Sequence, residues 1–275
     1  MVSSDFRKEA REKLTGKWGQ AALITFAYLI FFLIFTAFIG LFSKNIQTAF
    51  SLLLIIVNVP LAFGLTISFV KLFTNDNVGP FDFFTDGFKN FGKSWKISAL
   101  ILLKLLIPLI LLCISIAMLV GCAFFILADA ASSYDSGRPY ALIGTLGFVL
   151  FISSIIWLII KSLSYQLSFI IAAEQTELSA KESIAKSEQL MNGKRSALFR
   201  LQLSFIGWFI LLYLPYSLFQ LLFAGSFLAS IILDIGYIWL LPYIQFAIIA
   251  FYKSLNKDAD TSINENNLEG NEWKI

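Results

Sequence analysis

Six long blocks of apolar residues without a charge constrain this chain more than any other feature. A transmembrane helix needs about 20 mostly apolar residues, because it rises about 1.5 Å per residue through a hydrocarbon layer about 30 Å thick. Backbone polar groups in lipid must be paired within the segment, and these blocks lack the alternation of barrel strands. They therefore predict membrane-spanning helices. The blocks cover residues 19–42, 45–70, 105–128, 139–160, 201–233 and 235–252.

Composition agrees with this interpretation, since 58% of the 275 residues are hydrophobic and 14% are charged, against about 25% charged in soluble domains. We predict an all-α, polytopic transmembrane bundle over residues 19–255. A cytoplasmic amphipathic helix precedes it at 1–18, and a polar tail that we expect to be disordered follows at 256–275. The predicted spans are 19–42, 46–70, 98–128, 141–168, 201–223 and 228–252.

Basic residues between the spans predict the orientation. One set of segments carries five in 1–18, four in 71–96, five in 174–200 and three in 253–274. The alternate segments carry Lys44 and Arg138. Because basic residues near helix ends stay in the cytoplasm, we expect six spans with both termini inside. The expected location is the bacterial plasma membrane.

Three segments on the predicted cytoplasmic side have helical apolar faces. Phe81, Phe84, Phe88 and Phe91 recur at helical spacing in 80–91. Similar faces carry Phe6, Ala10 and Leu14 near the N-terminus, and Ala180, Ile184 and Met191 in 179–193. We expect these short helices to lie in the headgroup layer, with solvated helices as the alternative.

Short matches predict an internal repeat of three parallel hairpins. The segment PLAFGLTISFVK (60–71) aligns with PYIQFAIIAFYK (242–253), and SYQLSFIIAAE (164–174) fits the same frame. Gly-Lys pairs at 16–17, 92–93 and 193–194 each lead into a span. Parallel repeats of this kind occur in transporters.

Two lysines inside predicted spans are candidate contacts for an anionic ligand or lipid. Lys104 and Lys161 lie toward the cytoplasmic ends of their spans, so their ammonium groups either snorkel to the interface or guard an anionic site. Amides at depth give a candidate polar pocket, with interhelical hydrogen bonds as the alternative. These amides are Asn58, Gln166, Gln202 and Gln245.

The sequence lacks the residues that several classes of enzyme require. The chain has no histidine, which removes His-based triads and the commonest metal ligand. It has no phosphate-binding Gly-x-x-x-x-Gly-Lys-Ser/Thr loop. Cys113 and Cys122 lie half a turn apart in phase on one predicted helix and cannot pair within it. We therefore expect no enzyme activity, no catalytic residue, no cofactor and no metal.

Several stretches resemble the bacterial membrane family catalogued as domain of unknown function 975. They are RKEAREKLTGKWGQAAL (7–23), LMNGKRSALFRLQLSFIGWFILLYL (190–214) and LLPYIQFAIIAFYKSL (240–255). The resemblance implies a multi-pass membrane protein of unassigned biochemistry and supplies no catalytic residues.

Two classes of function follow as expectations. The favoured one is a non-enzymatic membrane component that binds lipid or peptide, or stabilises a partner complex. The alternative is a small carrier or permease built from three hairpins. The expected partners are the bilayer and an anionic lipid or a peptide, and we expect no nucleic acid.

Overall fold

The computed structural model of the chain describes residues 3–132, 140–222 and 227–272, and every regular element in these ranges is an α-helix. The helices are numbered in chain order. Their bounds are α1 Ser3–Leu14, α2 Trp18–Ile39, α3 Lys44–Phe73, α4 Asp82–Lys89, α5 Phe91–Ser132, α6 Tyr140–Tyr165, α7 Ser168–Glu174, α8 Ala180–Leu190, α9 Arg195–Leu203, α10 Ile206–Leu222 and α11 Phe227–Glu272.

Six stretches of these helices are long and apolar enough to cross a membrane. The fourth stretch joins α6 to α7, and the fifth joins α9 to α10. The predicted all-helical chain with six long apolar helices is confirmed. The stretches are Trp18–Ile39, Lys44–Phe73, Phe91–Ala128, Leu142–Glu174, Arg195–Leu222 and Leu233–Lys257.

One predicted segment, the C-terminal tail, differs in the structure, and one connection between spans lies outside the described residues. The predicted disordered tail from residue 256 is helical as far as Glu272, because no proline or glycine interrupts α11 between Pro242 and Gly270. Arg138, one of the two basic residues in the basic-poor connections, lies outside the described residues.

By internal contacts the chain divides into two compact units, residues 1–97 with 167–275, and residues 98–166. In the first unit, large aromatic side chains from α3, α7 and α11 meet in the core. The ring centroids of Phe73 and Phe246 are 5.4 Å apart, as are those of Phe63 and Phe169. Each such ring contributes a large apolar area to this core.

The apolar faces of α1 and α8 are covered by protein. Phe6 packs edge-on against Phe251 of α11, with ring centroids 5.3 Å apart, and Ala10 and Leu14 are fully buried. Ile184 of α8 and Met191, which directly follows this helix, are also buried. The expectation that these two faces enter the headgroup layer is therefore wrong. The periodicity identified the apolar faces correctly, but it does not distinguish a protein partner from a lipid one.

Helix α4 lies very close to α3 because glycines meet at the crossing. A Cβ atom on Gly87 would lie 2.5 Å from the Pro60 carbonyl oxygen, and one on Gly64 would lie 2.7 Å from the Gly87 nitrogen. Lys71 of α3 also forms a 2.6 Å ion pair with Asp86 of α4. Phe81, Phe84, Phe88 and Phe91 remain exposed on α4 and its flanks.

A tryptophan from α5 supports the proline in α3. Pro60 lacks an N–H, so the carbonyl of Ile56 loses its helical donor. The indole nitrogen of Trp95 donates to this carbonyl at 3.1 Å. The hydrogen bond supplies the missing partner, as neighbouring groups commonly do for prolines in membrane helices.

The second unit contains most of α5 packed antiparallel against α6. Cys122 donates from its thiol to the Tyr140 carbonyl at 3.2 Å, and the Phe125 and Tyr140 rings stack with centroids 5.8 Å apart. Gly147 brings α6 close to Met118, because a Cβ there would lie 3.2 Å from the Met118 Cβ. Cys113 and Cys122 are free thiols.

Candidate functional site

A cavity of about 580 Å³ lies in the first unit, where the start of α2 faces α10 and α11. We call it the aromatic pocket. Its volume falls within the roughly 300–1,000 Å³ typical of small-molecule sites. It is lined by Arg11, Trp18, Trp208, Leu211, Leu212, Gly236, Trp239, Leu240 and Tyr243.

The turn between α1 and α2 brings a cation and a tryptophan to one wall of the aromatic pocket. Gly16 takes a φ of +81°, a conformation that glycine adopts without the penalty other residues incur. The chain therefore turns between Leu14 and Trp18. Arg11, one turn before the end of α1, and Trp18, the first residue of α2, both line the pocket.

Aromatic rings form a large part of the lining of the aromatic pocket. The Trp18 ring lies 6.0 Å from that of Trp239 and 6.3 Å from that of Tyr243, between centroids. Trp208 and Trp239 are about half exposed, whereas Tyr243 is buried. Such rings offer a large apolar surface and polar N–H and O–H groups in one site.

A glycine lets α10 and α11 approach each other beside the aromatic pocket. A Cβ on Gly236 would collide with the side chain of Leu212. Arg11 is the charged residue of the lining. The pocket therefore combines an apolar volume with a guanidinium, the arrangement that suits an amphiphile with an anionic end.

A second groove, of about 360 Å³, lies between α2 and α11 and has the opposite charge. Its lining includes Thr36 and Asp234, together with apolar residues such as Phe26 and Ile238. A carboxylate disfavours an anion, so this groove is not a candidate for the same ligand.

The two predicted lysines come together in the second unit. The Nζ atom of Lys104 lies 5.1 Å from the centroid of the Tyr165 ring, and that of Lys161 lies 6.0 Å from it. Tyr165 is 3% exposed, so its ring is buried in protein. Both distances fall within the range of cation–π interactions.

The amides of the predicted polar pocket take several positions. Gln245 lines a cavity of about 230 Å³ together with Tyr28, Thr66 and Phe169. Asn58 is exposed on α3, and Gln202 is half-buried on α9; neither lines this cavity. Gln166 follows α6 directly and is half-buried.

Two lysines of the Gly-Lys pairs bond the ends of other helices. Lys17 donates to the Leu72 carbonyl at 2.6 Å and to the Asn75 side chain. Lys93 donates to the carbonyls of Ala172 at 3.1 Å and Thr176 at 2.9 Å. Burial lowers the pKa of Lys17, with the nearby Lys13 adding to the effect. Both side chains satisfy carbonyls that a helix C-terminus leaves unpaired.

Sequence reasoning missed the aromatic pocket. Its residues come from α1, α2, α10 and α11, and no local pattern joins them. A usable signal was the position of Trp18, Trp208 and Trp239 near the ends of apolar blocks, because tryptophan is enriched at membrane interfaces.

The comparison with protein families identifies the chain. A family model described as protein of unknown function (DUF975) matches residues 1–259. The chain belongs to the DUF975 family. This match confirms the family resemblance inferred from residues 7–23, 190–214 and 240–255. Searches of curated proteins and of solved structures give no significant match.

Proposed function

We propose that this DUF975 protein is a non-enzymatic membrane protein that binds an anionic phospholipid in the aromatic pocket. The carrying observation is the pocket itself, where Trp18, Trp208 and Trp239 surround an apolar volume beside the guanidinium of Arg11. An acyl chain fills such a volume, while a phosphate accepts hydrogen bonds from the guanidinium.

The charge distribution supports an anionic ligand at this position. Arg11 belongs to the N-terminal segment, which carries five basic residues. By the positive-inside rule this segment and the other basic segments are cytoplasmic. The cytoplasmic leaflet is rich in anionic lipid, which basic residues at its surface attract by about 1 kcal/mol each. The proposed location is the bacterial plasma membrane with both termini inside.

The proposed architecture is three parallel hairpins, and in two of them a lysine bonds the helix that ends the copy. Lys17 bonds the end of α3, and Lys93 bonds the end of α7. Each lysine precedes the first span of a proposed copy and reaches the helix that ends the same copy. This equivalence supports the repeat beyond the short sequence matches.

A small carrier remains the alternative function. Its support is the cavity at Tyr28, Thr66 and Gln245, which places polar groups between apolar helices. At about 230 Å³, this cavity falls below the usual range for ligand sites of roughly 300–1,000 Å³. The aromatic pocket therefore has the stronger claim.

The proposal is tested by lipid retention in native mass spectrometry, with phosphatidylglycerol and phosphatidylcholine offered at equal concentration. Leu211 lines the pocket and is 62% exposed, so Leu211→Trp should fill the volume and reduce retained phosphatidylglycerol. Leu214→Trp is the matched control, because Leu214 lies on the same helix, is 59% exposed and is not in the lining.

The charge is tested separately with Arg11→Gln. Hydrogen bonds to charged groups contribute about 1.5–3 kcal/mol, so we expect a loss of about tenfold or more in phosphatidylglycerol affinity. Lys8→Gln is the control, since the Lys8 side chain is 74% exposed on the same helix. Retention that is equal in Leu211→Trp, Arg11→Gln and both controls would refute lipid binding at the pocket.

A further inference from the structure

We infer that Lys104 and Lys161 form a second, separate site for the phosphate of an anionic phospholipid. The site lies within the second unit and shares no residue with the aromatic pocket. It therefore goes beyond the proposed function, and the two stand or fall independently.

The geometry places two cations around one ring. Both ammonium groups lie within 6.0 Å of the Tyr165 centroid. Lys104 comes from α5 and Lys161 from α6, so two different helices supply the charge. Both positive charges attract an anion that lies near this ring. Phosphate oxygens accept such charge-assisted hydrogen bonds from ammonium groups.

The side chains around the two lysines favour a lipid over a free anion as the ligand. Apolar side chains next to Lys104 on α5 are strongly exposed, with Leu103 at 64% and Ile107 at 60%. Trp157, one turn from Lys161, is 40% exposed. Exposed apolar surface beside a cation suits a molecule that carries acyl chains as well as a phosphate. Inorganic phosphate offers no apolar part to this surface.

The site is also positioned at one end of the α5–α6 hairpin. Lys161 lies one turn before Tyr165, the last residue of α6. The contacts of Cys122 with Tyr140 mark the opposite end of the same hairpin. The long, flexible side chain of a lysine can carry its charge toward headgroup depth, where the phosphate of a lipid lies.

The test compares two double variants that remove the same number of charges. Lys104→Leu with Lys161→Leu removes the proposed site. Lys89→Leu with Lys96→Leu removes two exposed lysines close in the chain but outside it. Native mass spectrometry then measures retained phosphatidylglycerol and cardiolipin, with phosphatidylcholine as the neutral lipid. We expect the first double variant to lose affinity for the anionic lipids by about tenfold at one of the two proposed sites, seen as one fewer anionic lipid bound per protein, and the control to change little.

Three further measurements distinguish the proposed lipid site from its alternatives. Lys104→Arg with Lys161→Arg should retain most of the binding, because charge is kept while the headgroup contacts change. Inorganic phosphate as competitor should not displace the lipid; displacement would identify a free-anion site instead. The Leu211→Trp variant should keep this second site, which separates its failure from failure of the aromatic pocket. Equal anionic-lipid retention in the two double variants would overturn the inference and leave the lysines as snorkelling side chains.

Discussion

At the scale of single residues, side chains finish the hydrogen bonding that the helices leave incomplete. Lys17 and Lys93 bond carbonyls at helix ends, and Trp95 bonds the carbonyl that Pro60 leaves without a donor. Unpaired backbone groups are costly away from water. These residues therefore stabilise the chain wherever a helix stops or is interrupted.

The N-terminus of α8 shows the same behaviour in a form that depends on pH. The Ser179 backbone donates to the Glu182 carboxylate at 2.8 Å, and the Glu182 backbone donates to the Ser179 hydroxyl at 3.3 Å. This capping box was visible in the sequence as Ser-x-x-Glu. The hydrogen bonds from Ser179 lower the pKa of Glu182 below its ordinary value of 4.5.

We predict that acid loosens the first turn of α8. Because the folded state lowers the Glu182 pKa, the stabilisation is present above 4.5 and is lost as pH falls through the folded value. Hydrogen exchange of the first-turn amides, corrected for intrinsic rates, should be faster at acid pH than near neutral pH. Glu182→Gln should remove this pH dependence. The same acid response in Glu182→Gln would show that another group is responsible.

At the scale of elements, α4 is held by shape as well as by charge. Gly64 and Gly87 allow its backbone to touch α3, and the Lys71–Asp86 ion pair fixes its orientation. Two aromatic side chains of α4 stay exposed, Phe84 at 42% and Phe88 at 40%, whereas Phe83 is buried. Docking of this face in the headgroup layer stays a prediction.

We predict that Gly87→Ala destabilises the protein by about 1–3 kcal/mol, the usual cost of overpacking. The added methyl group would meet the Pro60 carbonyl, which belongs to backbone and cannot rotate away. Thermal unfolding in detergent should therefore shift to lower temperature. Gly92→Ala is the control, since nothing lies within 4 Å of its added Cβ. Identical unfolding of the two variants would show that the crossing tolerates more space than the structure indicates.

Sequence patterns predicted the helices better than they predicted the surfaces against which those helices pack. Uncharged blocks without the alternation of barrel strands predict helices, because lipid requires the backbone to be paired within the segment, and six long apolar helices are found. The face of Phe6, Ala10 and Leu14 was also recognised, but its partner is protein rather than lipid. Both environments are apolar, so periodicity does not separate them.

The two candidate sites also differ in how far the sequence predicted them. Lys104 and Lys161 were recognisable because charges inside apolar blocks are expensive and rare. Tyr165, which brings them together, carries no such signal. The aromatic pocket depends on residues far apart in the chain, such as Arg11 and Trp239. Only the tertiary fold places them beside one another.

At the scale of the whole molecule, the remaining question is which side of the membrane each connection faces. The two proposed lipid sites require that the basic segments face the cytoplasm. Seven connections and ends alternate between basic-rich and basic-poor, if the six apolar stretches all cross. Each crossing must reverse the side, so one measured connection constrains all the others.

We predict that reporter fusions after Phe73, Asn192 and Lys257 report cytoplasm, and that fusions after Lys44 and Ser132 report the exterior. The reason is the excess of lysine and arginine in the segments around the first three sites. Green fluorescent protein should fluoresce at the cytoplasmic sites, and alkaline phosphatase should be active at the exterior ones. Each reporter placed at the opposite set of sites serves as the control. A fluorescent fusion after Ser132 would contradict the predicted alternation, because α5 would then not cross the membrane. The proposed lysine site would in that case not lie in the cytoplasmic leaflet.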